Sequence, residues 1–187
     1  NGNPDYKIKR NLGKKTEHAS NYKMGPRTFA SELAKAGIYL EESVCKRILE
    51  ARKSARPRVV AWWQEVEAKL RGTRTMTNCL GRRRFFMGLI NDEVIREAIA
   101  FEPQSTLGDL LNQAIADIWD DITLMPQVDL LLQIHDAVIW QSSEGTFMQQ
   151  AEAVGQHMDI PITINNRTFT IPTDLSFGPS WGELQEV

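Results

Sequence analysis

The sequence predicts an α+β protein in which a basic, helical N-terminal half precedes antiparallel hairpins with supporting helices. Apolar residues recur at helical spacing through the first half, and three later segments alternate apolar and polar residues around short polar turns. The charge is also divided. Residues 1–84 hold 20 Lys/Arg against 8 Asp/Glu, a net charge of +12, whereas residues 85–187 carry a net charge of −14. The basic half indicates contact with a polyanion.

Four helices are predicted before the first hairpin. Gly25-Pro26 ends the first one, and Pro57 suits the first turn of the fourth, which Gly72 closes. The four are expected over Lys7–Met24, Thr28–Ala36, Leu40–Lys53 and Pro57–Leu70.

Three hairpins and three helices are predicted in the remainder. The hairpins are "TRTMTNCLGRRRFF", turning at Asn78 to Gly81, "DLLLQIHDAVIW", turning tightly at His135-Asp136 between two buried strands, and "PITINNRTFTIP", turning at Asn165-Asn166. One helix is expected over Asp92–Phe101, a separate long one begins at Pro103, and a third covers Glu144–Met158. The tail "SFGPSWGELQ" is expected to be irregular.

Composition excludes several classes of protein. Apolar content of 42% and charged content of 25% are ordinary for a globular chain, and no apolar run approaches the roughly 20 residues of a membrane helix. No signal peptide is recognisable. Cys45 and Cys79 lack metal-site spacing, so we expect reduced thiols in a cytoplasmic protein. Because the sequence starts with Asn-Gly, residue 1 is not expected to be a natural translation start.

Arg10, Lys14, His18 and Tyr22 follow one another at intervals of four residues. On a helix this spacing places them on one face over about 18 Å, which matches the length of a nucleoside triphosphate. Arg and Lys would neutralise phosphate oxygens, and the aromatic ring would contact sugar or base. The alternative is a solvated basic helix whose His and Tyr face a core.

Further basic and polar residues suit contact with nucleic acid. Arg82, Arg83 and Arg84 on a hairpin suit a phosphate backbone, or else protect an exposed edge strand. Arg96 and Gln104 could hydrogen-bond base edges. Alternatively, Arg96 pairs with Glu93 or Glu97, and Gln104 caps the long helix.

The His135-Asp136 turn places an ionisable pair inside an apolar stretch. A carboxylate held rigidly on a tight turn suits Mg²⁺, which usually takes one or two protein carboxylates together with water and substrate phosphate. His135 could contact a phosphate. The alternative is a turn Asp that accepts hydrogen bonds from nearby backbone amides.

In order along the chain, these segments resemble family A DNA polymerases, the DNA polymerase I type. The Arg10 to Tyr22 series resembles the fingers-helix motif, "ARPRVVAWWQEVEAKLRGTRTMTNCLGRRRFF" the later fingers and the Gly-Arg-Arg hairpin, and "REAIAFEPQSTLGDLLNQAI" the Arg-to-Gln minor-groove motif. "QIHDAVIW" resembles the metal-binding motif of the palm, and "MDIPITIN" and "SFGPSWGELQ" resemble the end of the palm. The resemblance covers nearly the whole sequence.

The resemblance implies roles for individual residues. Arg10 would hold the outer phosphates of the incoming dNTP and Lys14 the inner ones, with Lys14 also helping to protonate pyrophosphate. Tyr22 would stack near the template base. The remaining roles fall on DNA and metal: Arg96 and Gln104 would read the minor groove, His135 would contact the primer terminus, and Asp136 would bind the catalytic metals. Two Mg²⁺ ions serve such phosphoryl transfer.

The sequence departs from the family at four points. His18 stands where the family has Phe or Tyr, Ala100 where it often has Asn, and Ala137 where it usually has a second acid. A strand motif of the type Asp-Tyr-Ser-x-Ile-Glu, which carries the other metal-binding Asp, is not found upstream of the fingers helix. Asp5-Tyr6 lies too close to Arg10 and lacks a strand pattern, so it is rejected as a substitute.

The resemblance therefore implies the C-terminal part of a DNA polymerase, with fingers over residues 1–72 and the later palm over 73–187. Its expected partners are primer-template DNA, dNTP and an upstream polypeptide supplying the other Asp and the thumb. It could be a split gene product, a cleavage product or an engineered fragment, with a phage or bacterial source. Two alternatives stay open: a non-catalytic DNA-binding or assembly subunit derived from a polymerase, and an unrelated helical binding module.

Overall fold

The computed structural model describes residues 4–186 of the chain. Its helices are α1 (Pro4–Asn21), α2 (Pro26–Ala34), α3 (Glu42–Ala55), α4 (Pro57–Thr73), α5 (Asp92–Asp120) and α6 (Phe147–Met158). Its strands are β1 (Thr75–Thr77), β2 (Arg83–Phe85), β3 (Val128–Ile134), β4 (Ala137–Ser142), β5 (Ile162–Ile164), β6 (Arg167–Phe169), β7 (Ser176–Phe177) and β8 (Gln185–Glu186). Among the described residues, consecutive strands pair as four antiparallel two-stranded sheets. The α+β prediction is confirmed.

The first of two compact units comprises Asn1–Thr77 and Arg83–Glu102. One of its two hydrophobic cores joins α1, α2 and α3 through Phe29, Leu33 and Cys45, none of which is exposed to solvent. The other joins α4, the first hairpin and the start of α5, and includes Leu70 and Met76. The first of these cores holds α1 through Ala19, which lies on one side of the helix.

A left-handed residue ends α1. Lys23 has a φ of 55°, and the Met24 N–H donates to the Ala19 carbonyl oxygen at 2.9 Å, which is the bond that characterises a Schellman motif. The buried Trp63 ring donates from Nε1 to the Asn21 carbonyl oxygen at 3.0 Å, so an orphan carbonyl of the last turn is satisfied. The helix therefore ends before the predicted Met24.

Two further predictions about helix ends were wrong. Helix α4 continues through Gly72 to Thr73 and ends with Arg74, whose φ is 54°, in the left-handed position. Helix α5 is continuous across Pro103, although the sequence predicted separate helices on its two sides. Proline removes one hydrogen bond, to the Ile99 carbonyl, at a cost of about 3 kcal/mol. We attribute the continuity to the buried apolar residues on both sides of Pro103, which hold both parts of the helix in place.

The second unit comprises Asn78–Arg82 and Pro103–Val187. Its core includes Ile118 of α5, Leu124, Val128 of β3 and Val154 of α6. Asp121 caps the loop after α5: its Oδ1 accepts from the Thr123 hydroxyl at 2.6 Å, and its Oδ2 lies 3.0 Å from Nε2 of His157. These hydrogen bonds hold the pKa of Asp121 well below its usual range. They join the end of α5 to the end of α6.

The hairpin β3–β4 forms as predicted, but its strands are not buried. Leu131 is 56% exposed and Leu132 is 47% exposed. A bulge shifts the register between Leu130 and Leu132, and the ladder resumes to Ile134 opposite Ala137. Only the start of β3 enters the core, since each of the four sheets in the described chain has two strands and none adds a third to this hairpin.

Two further hairpins complete this unit. Asn165 and Asn166 have φ of 51° and 61°, as a type I′ turn requires, so the predicted third hairpin is confirmed. The tail was predicted to be irregular, but β7 and β8 pair in it. Strands of two residues are too short to show a period in sequence.

No helix among residues 4–186 combines the length and the apolar character that crossing a membrane requires.

Candidate functional site

Three of the four residues spaced along α1 lie on its exposed face. Arg10, Lys14 and His18 are exposed, whereas Thr16 and Ala19 on the opposite side are buried. Because α1 rises about 1.5 Å per residue, the exposed series and the residue that continues it extend over about 18 Å. Arg10 and Lys14 form no ion pair with any side chain that the structure describes. Both cations are therefore available to a ligand.

Tyr22 continues this series beyond the end of α1. Its N–H still donates to the His18 carbonyl oxygen at 3.3 Å, so the helical spacing is kept for one more residue. The His18 and Tyr22 rings lie 4.9 Å apart between centroids with an interplanar angle of 57°. Tyr22 is half-buried against the core of α4 and α5, so its ring has a fixed side and an open side. The alternative interpretation of this helix placed both rings against a core, and for His18 it is wrong.

An acid of α1, close to this series, pairs with two arginines. Glu17 contacts Arg52 of α3, and its Oε2 lies 2.9 Å from Nη1 of Arg56. This pairing holds the rotation of α1 about its own axis. The side chains of the exposed basic series therefore have a fixed orientation around the helix axis.

A basic cleft lies at the C-terminal end of α1. It has a volume of about 290 Å³, and its lining includes Lys23, Lys46, Lys53 and Arg96 together with Glu50 and Asp92. Arg96 does not pair with Glu93 or Glu97, so that alternative for Arg96 is wrong. The sequence could have indicated Lys46 and Lys53, because residues seven apart share one face of a helix.

The three hairpin arginines have different surroundings. Arg84 donates from Nη2 to Glu97 Oε2 at 2.6 Å, and its guanidinium lies 4.5 Å from the centroid of the Phe86 ring. Arg82 pairs with Asp109. Arg83 is exposed and makes no ion pair in the described part of the chain. Two of the three cations are therefore held in place by acids.

No pattern in the sequence predicted Asp109 as the partner of Arg82. Asp109 is held by Arg82 and also accepts a hydrogen bond from the Asn78 side chain at 2.7 Å. The hydrogen bond from Arg82 lowers the pKa of Asp109, and the same contact raises the pKa of Arg82. Asp109 lies in α5, 27 residues from Arg82, and no local pattern links the two.

Gln104 is exposed on α5. It was alternatively predicted to cap a helix beginning at Pro103. Because α5 is continuous from Asp92 to Asp120, Gln104 lies in the helix interior and caps nothing, so this alternative is wrong.

His135 and Asp136 form the tip of the second hairpin. His135 has a φ of 53°, and both side chains are exposed. The Asp136 carboxylate accepts no hydrogen bond from a described residue, so it does not satisfy the amides of its own turn. Its oxygens are open to a ligand. Asp5 and Tyr6 lie in α1 rather than in a strand; the Asp5 side chain falls outside the described residues.

A metal site cannot be completed from the described residues. They contain no group of three or more His, Cys, Asp or Glu side chains placed to hold an ion. Asp136 offers one exposed carboxylate with oxygen donors of the kind that Mg²⁺ prefers. The donor chemistry therefore fits one ligand of such an ion and leaves the others to be supplied from elsewhere.

The helices followed by small antiparallel hairpins define the class as α+β. The chain belongs to DNA polymerase family A, whose family model matches residues 5–183. Its structure is similar to the POL domain of Pol1 from M. smegmatis in complex with DNA primer-template and dNTP, with a TM-score of 0.67 and 21% sequence identity. That similarity covers 84% of this chain but only 28% of the other. The sequence matches no curated protein.

The family prediction is thus confirmed by a match over residues 5–183, nearly the whole of the ordered motifs. The individual site residues and the division into fingers and palm at residues 72 and 73 stay predictions. The two compact units are defined by contacts and do not decide which residues belong to which functional subdomain.

Proposed function

We propose that this chain is the C-terminal portion of a family A DNA polymerase and acts in template-directed DNA synthesis. The reaction transfers a nucleotide from a dNTP to a primer 3′-OH and releases pyrophosphate. The observation that carries the proposal is the family match over residues 5–183, which contains the named motifs except for the last two residues of the tail segment. The exposed basic series of α1 supports it.

In this proposal the α1 series binds the dNTP. Arg10 holds the outer phosphates and Lys14 the inner ones, and the Lys14 ammonium lies where it can give a proton to the departing pyrophosphate. His18 lies beside the sugar. Tyr22 presents its open ring face to the nascent base pair. The exposure of Arg10 and Lys14 and the contact between the His18 and Tyr22 rings support these roles.

Primer-template DNA would be bound by the remaining cations and polar groups. Arg82, Arg83 and Arg84 contact the phosphate backbone, Arg96 and Gln104 hydrogen-bond in the minor groove, and His135 contacts the primer terminus. All six side chains are exposed, which supports these roles.

Asp136 would be the magnesium ligand of this chain. The exposed Asp136 carboxylate would provide one ligand of the two-metal site, and the second carboxylate would come from outside these residues. When bound, the ions stabilise charge on the attacking and leaving oxygens. Ala137 adds no charge beside Asp136, so the metals would depend on that second carboxylate.

An upstream polypeptide would supply this carboxylate and the thumb. The exposed apolar side chains of β3 support this partner, because a strand that covered Leu131 and Leu132 would remove apolar surface from water. We propose the fingers over residues 1–72, the later palm over 73–187, and a bacterial or phage-infected cytoplasm as the place of action.

Primer extension tests the proposal. The chain alone should not extend a primer, and addition of the upstream polypeptide should restore extension. Asp136→Ala in the assembled enzyme should abolish extension, whereas Asp129→Ala, which removes another exposed acid of the same hairpin, should leave it near wild type. Robust extension by the chain alone contradicts the need for a partner.

A matched pair on α1 tests the dNTP site. Lys14→Ala should lower kcat/KM for dNTP by at least about tenfold, the loss expected for one charge-assisted contact. Lys9→Ala removes a neighbouring exposed cation that lies off the series and should have little effect. If Asp136→Ala and Lys14→Ala both leave extension unchanged, the chain is instead a DNA-binding or assembly subunit.

A further inference from the structure

Asp109 binds two different groups with its two carboxylate oxygens. Arg82 donates from Nε to Oδ1 at 2.6 Å and also contacts that oxygen through Nη2. Asn78 donates from Nδ2 to Oδ2 at 2.7 Å. The Asp109 side chain is 15% exposed, whereas that of Arg82 is 54% exposed. The acid is therefore largely covered, and most of the guanidinium that it holds remains in solvent.

Asn78 links this acid to the backbone of the hairpin loop. Asn78 is 5% exposed, and its Oδ1 accepts from the Leu80 N–H at 3.0 Å and from the Arg82 N–H at 2.9 Å. The Asn78 N–H in turn donates to the Arg82 carbonyl oxygen at 3.0 Å. One covered amide therefore fixes the backbone of Arg82 and also orients the carboxylate that fixes its side chain.

The hydrogen bonds leave part of the guanidinium free in a defined direction. A guanidinium has five N–H groups in a rigid plane, and the contacts with Asp109 use one on Nε and one on Nη2. The remaining donors point away from the acid. A side chain that is already ordered loses less conformational entropy when it binds a phosphate.

We propose that Asp109 is a positioning residue, which holds Arg82 so that its outward N–H groups meet a phosphate of the DNA backbone. This inference rests on the proposed function, because it takes Arg82 to be a DNA contact. Arg84 is held differently: its partner Glu97 is 46% exposed, and no covered amide among the described residues orients that acid. Of the two paired arginines, Arg82 is thus the one whose acid is itself held by a buried amide.

A double-mutant cycle on the enzyme assembled with its upstream polypeptide tests the inference. The Kd for primer-template DNA is measured over a series of salt concentrations for wild type, Arg82→Ala, Asp109→Asn and the double variant. Each single variant should weaken binding about tenfold, the loss expected for one hydrogen bond to a charged group. Arg82→Ala should also lower the slope of binding against salt by about one. Asp109→Asn should have no further effect once Arg82 is gone.

A purely structural role of Asp109 gives a different pattern. Asp109→Asn would then weaken DNA binding by the same factor in the Arg82→Ala background as in wild type, and that additivity would overturn the inference. DNA binding by Asp109→Asn equal to that of wild type would also overturn it. Asp117→Asn is the matched control, since Asp117 lies on the same helix and accepts from Gln113 at 2.7 Å. It should bind DNA like wild type.

Arg82→Lys provides a second route if Asp109→Asn does not fold. Lysine keeps the positive charge of arginine but lacks its planar guanidinium. Arg82→Lys should therefore weaken DNA binding nearly as much as Arg82→Ala. It should raise the KM for primer-template DNA without lowering kcat. Wild-type binding by Arg82→Lys overturns the inference. If wild type itself fails to bind or extend primer-template DNA, the proposed function fails, which is a separate result.

Discussion

Gly178 lies where the chain closes on itself between β7 and β8. A Cβ atom added to Gly178 would lie 2.3 Å from the Glu183 carbonyl oxygen, 2.8 Å from its carbonyl carbon and 3.2 Å from Leu184 Cα. All three are backbone atoms, so no side chain can rotate away from the new methyl group. We therefore expect Gly178→Ala to disrupt the pairing of β7 with β8.

These distances set the expected loss of stability of the β7–β8 pairing. Ordinary contacts begin at 3.4 Å, so the backbone at Glu183 must move by about 1 Å to admit the methyl group. The β7–β8 ladder has only two residue pairs, Ser176 with Glu186 and Phe177 with Gln185. It cannot absorb such a shift and stay paired. Overpacking of this kind costs about 1–3 kcal/mol.

Amide hydrogen exchange of the 187-residue chain measures the loss directly. The amides of β7 and β8 should exchange about 5- to 150-fold faster in Gly178→Ala, which is that free energy expressed as a ratio of rates. Gly182→Ala is the matched control, because a Cβ at Gly182 meets no atom within 4 Å. Equal exchange rates in the two variants would refute the argument.

Three further changes test other parts of the fold. Asp121→Asn should lower the free energy of unfolding near neutral pH, because folding lowers the pKa of Asp121. The difference in unfolding free energy between the variant and wild type should shrink as the pH falls below 3.8, the ordinary pKa of the group. Urea unfolding at a series of pH values measures this difference. Leu70→Ala, at a position with no exposed surface, should lower the free energy of unfolding by about 2–5 kcal/mol in urea. Pro103→Ala should raise the melting temperature, because the Ile99 carbonyl regains a helical hydrogen bond.

Each of these changes has a control of the same residue type. Asp120→Asn alters an exposed acid and should leave the pH dependence unchanged. Leu80→Ala alters a leucine that is 49% exposed and should cost less than Leu70→Ala. Pro57→Ala alters a proline in the first turn of α4, where no hydrogen bond is missing, so the melting temperature should not rise. A Pro103→Ala variant that melts below wild type would contradict the account of α5.

Most local structure could be predicted, because its causes are local. The Asn165-Asn166 turn needs two residues that tolerate positive φ, and asparagine is one of the few that do. The α1 series depends only on the helical period. Two of the errors, at Pro103 and in the tail over residues 176–186, arise where distant contacts outweigh local preference or where strands are too short to show a pattern.

The candidate site could be predicted less completely. Arg10, Lys14, His18 and Asp136 are exposed as a ligand-binding role requires, yet the sequence could not show that the strands beside Asp136 would lie open to solvent. Burial depends on what covers a strand. Leu131 and Leu132 are as apolar as core residues, but no described element packs over them.

By itself, the sequence determined the family, the order of the motifs and the type of nearly every helix and hairpin, because these depend on residue type and short-range spacing. Only the tertiary structure decided that Arg82 and Arg84 are held by acids while Arg83, among the described residues, is not. That distinction arises because folding brings Asp109 against Arg82 and Glu97 against Arg84, although 27 and 13 residues separate them in the chain. Ion pairing depends on distance in space, which spacing along the sequence does not contain.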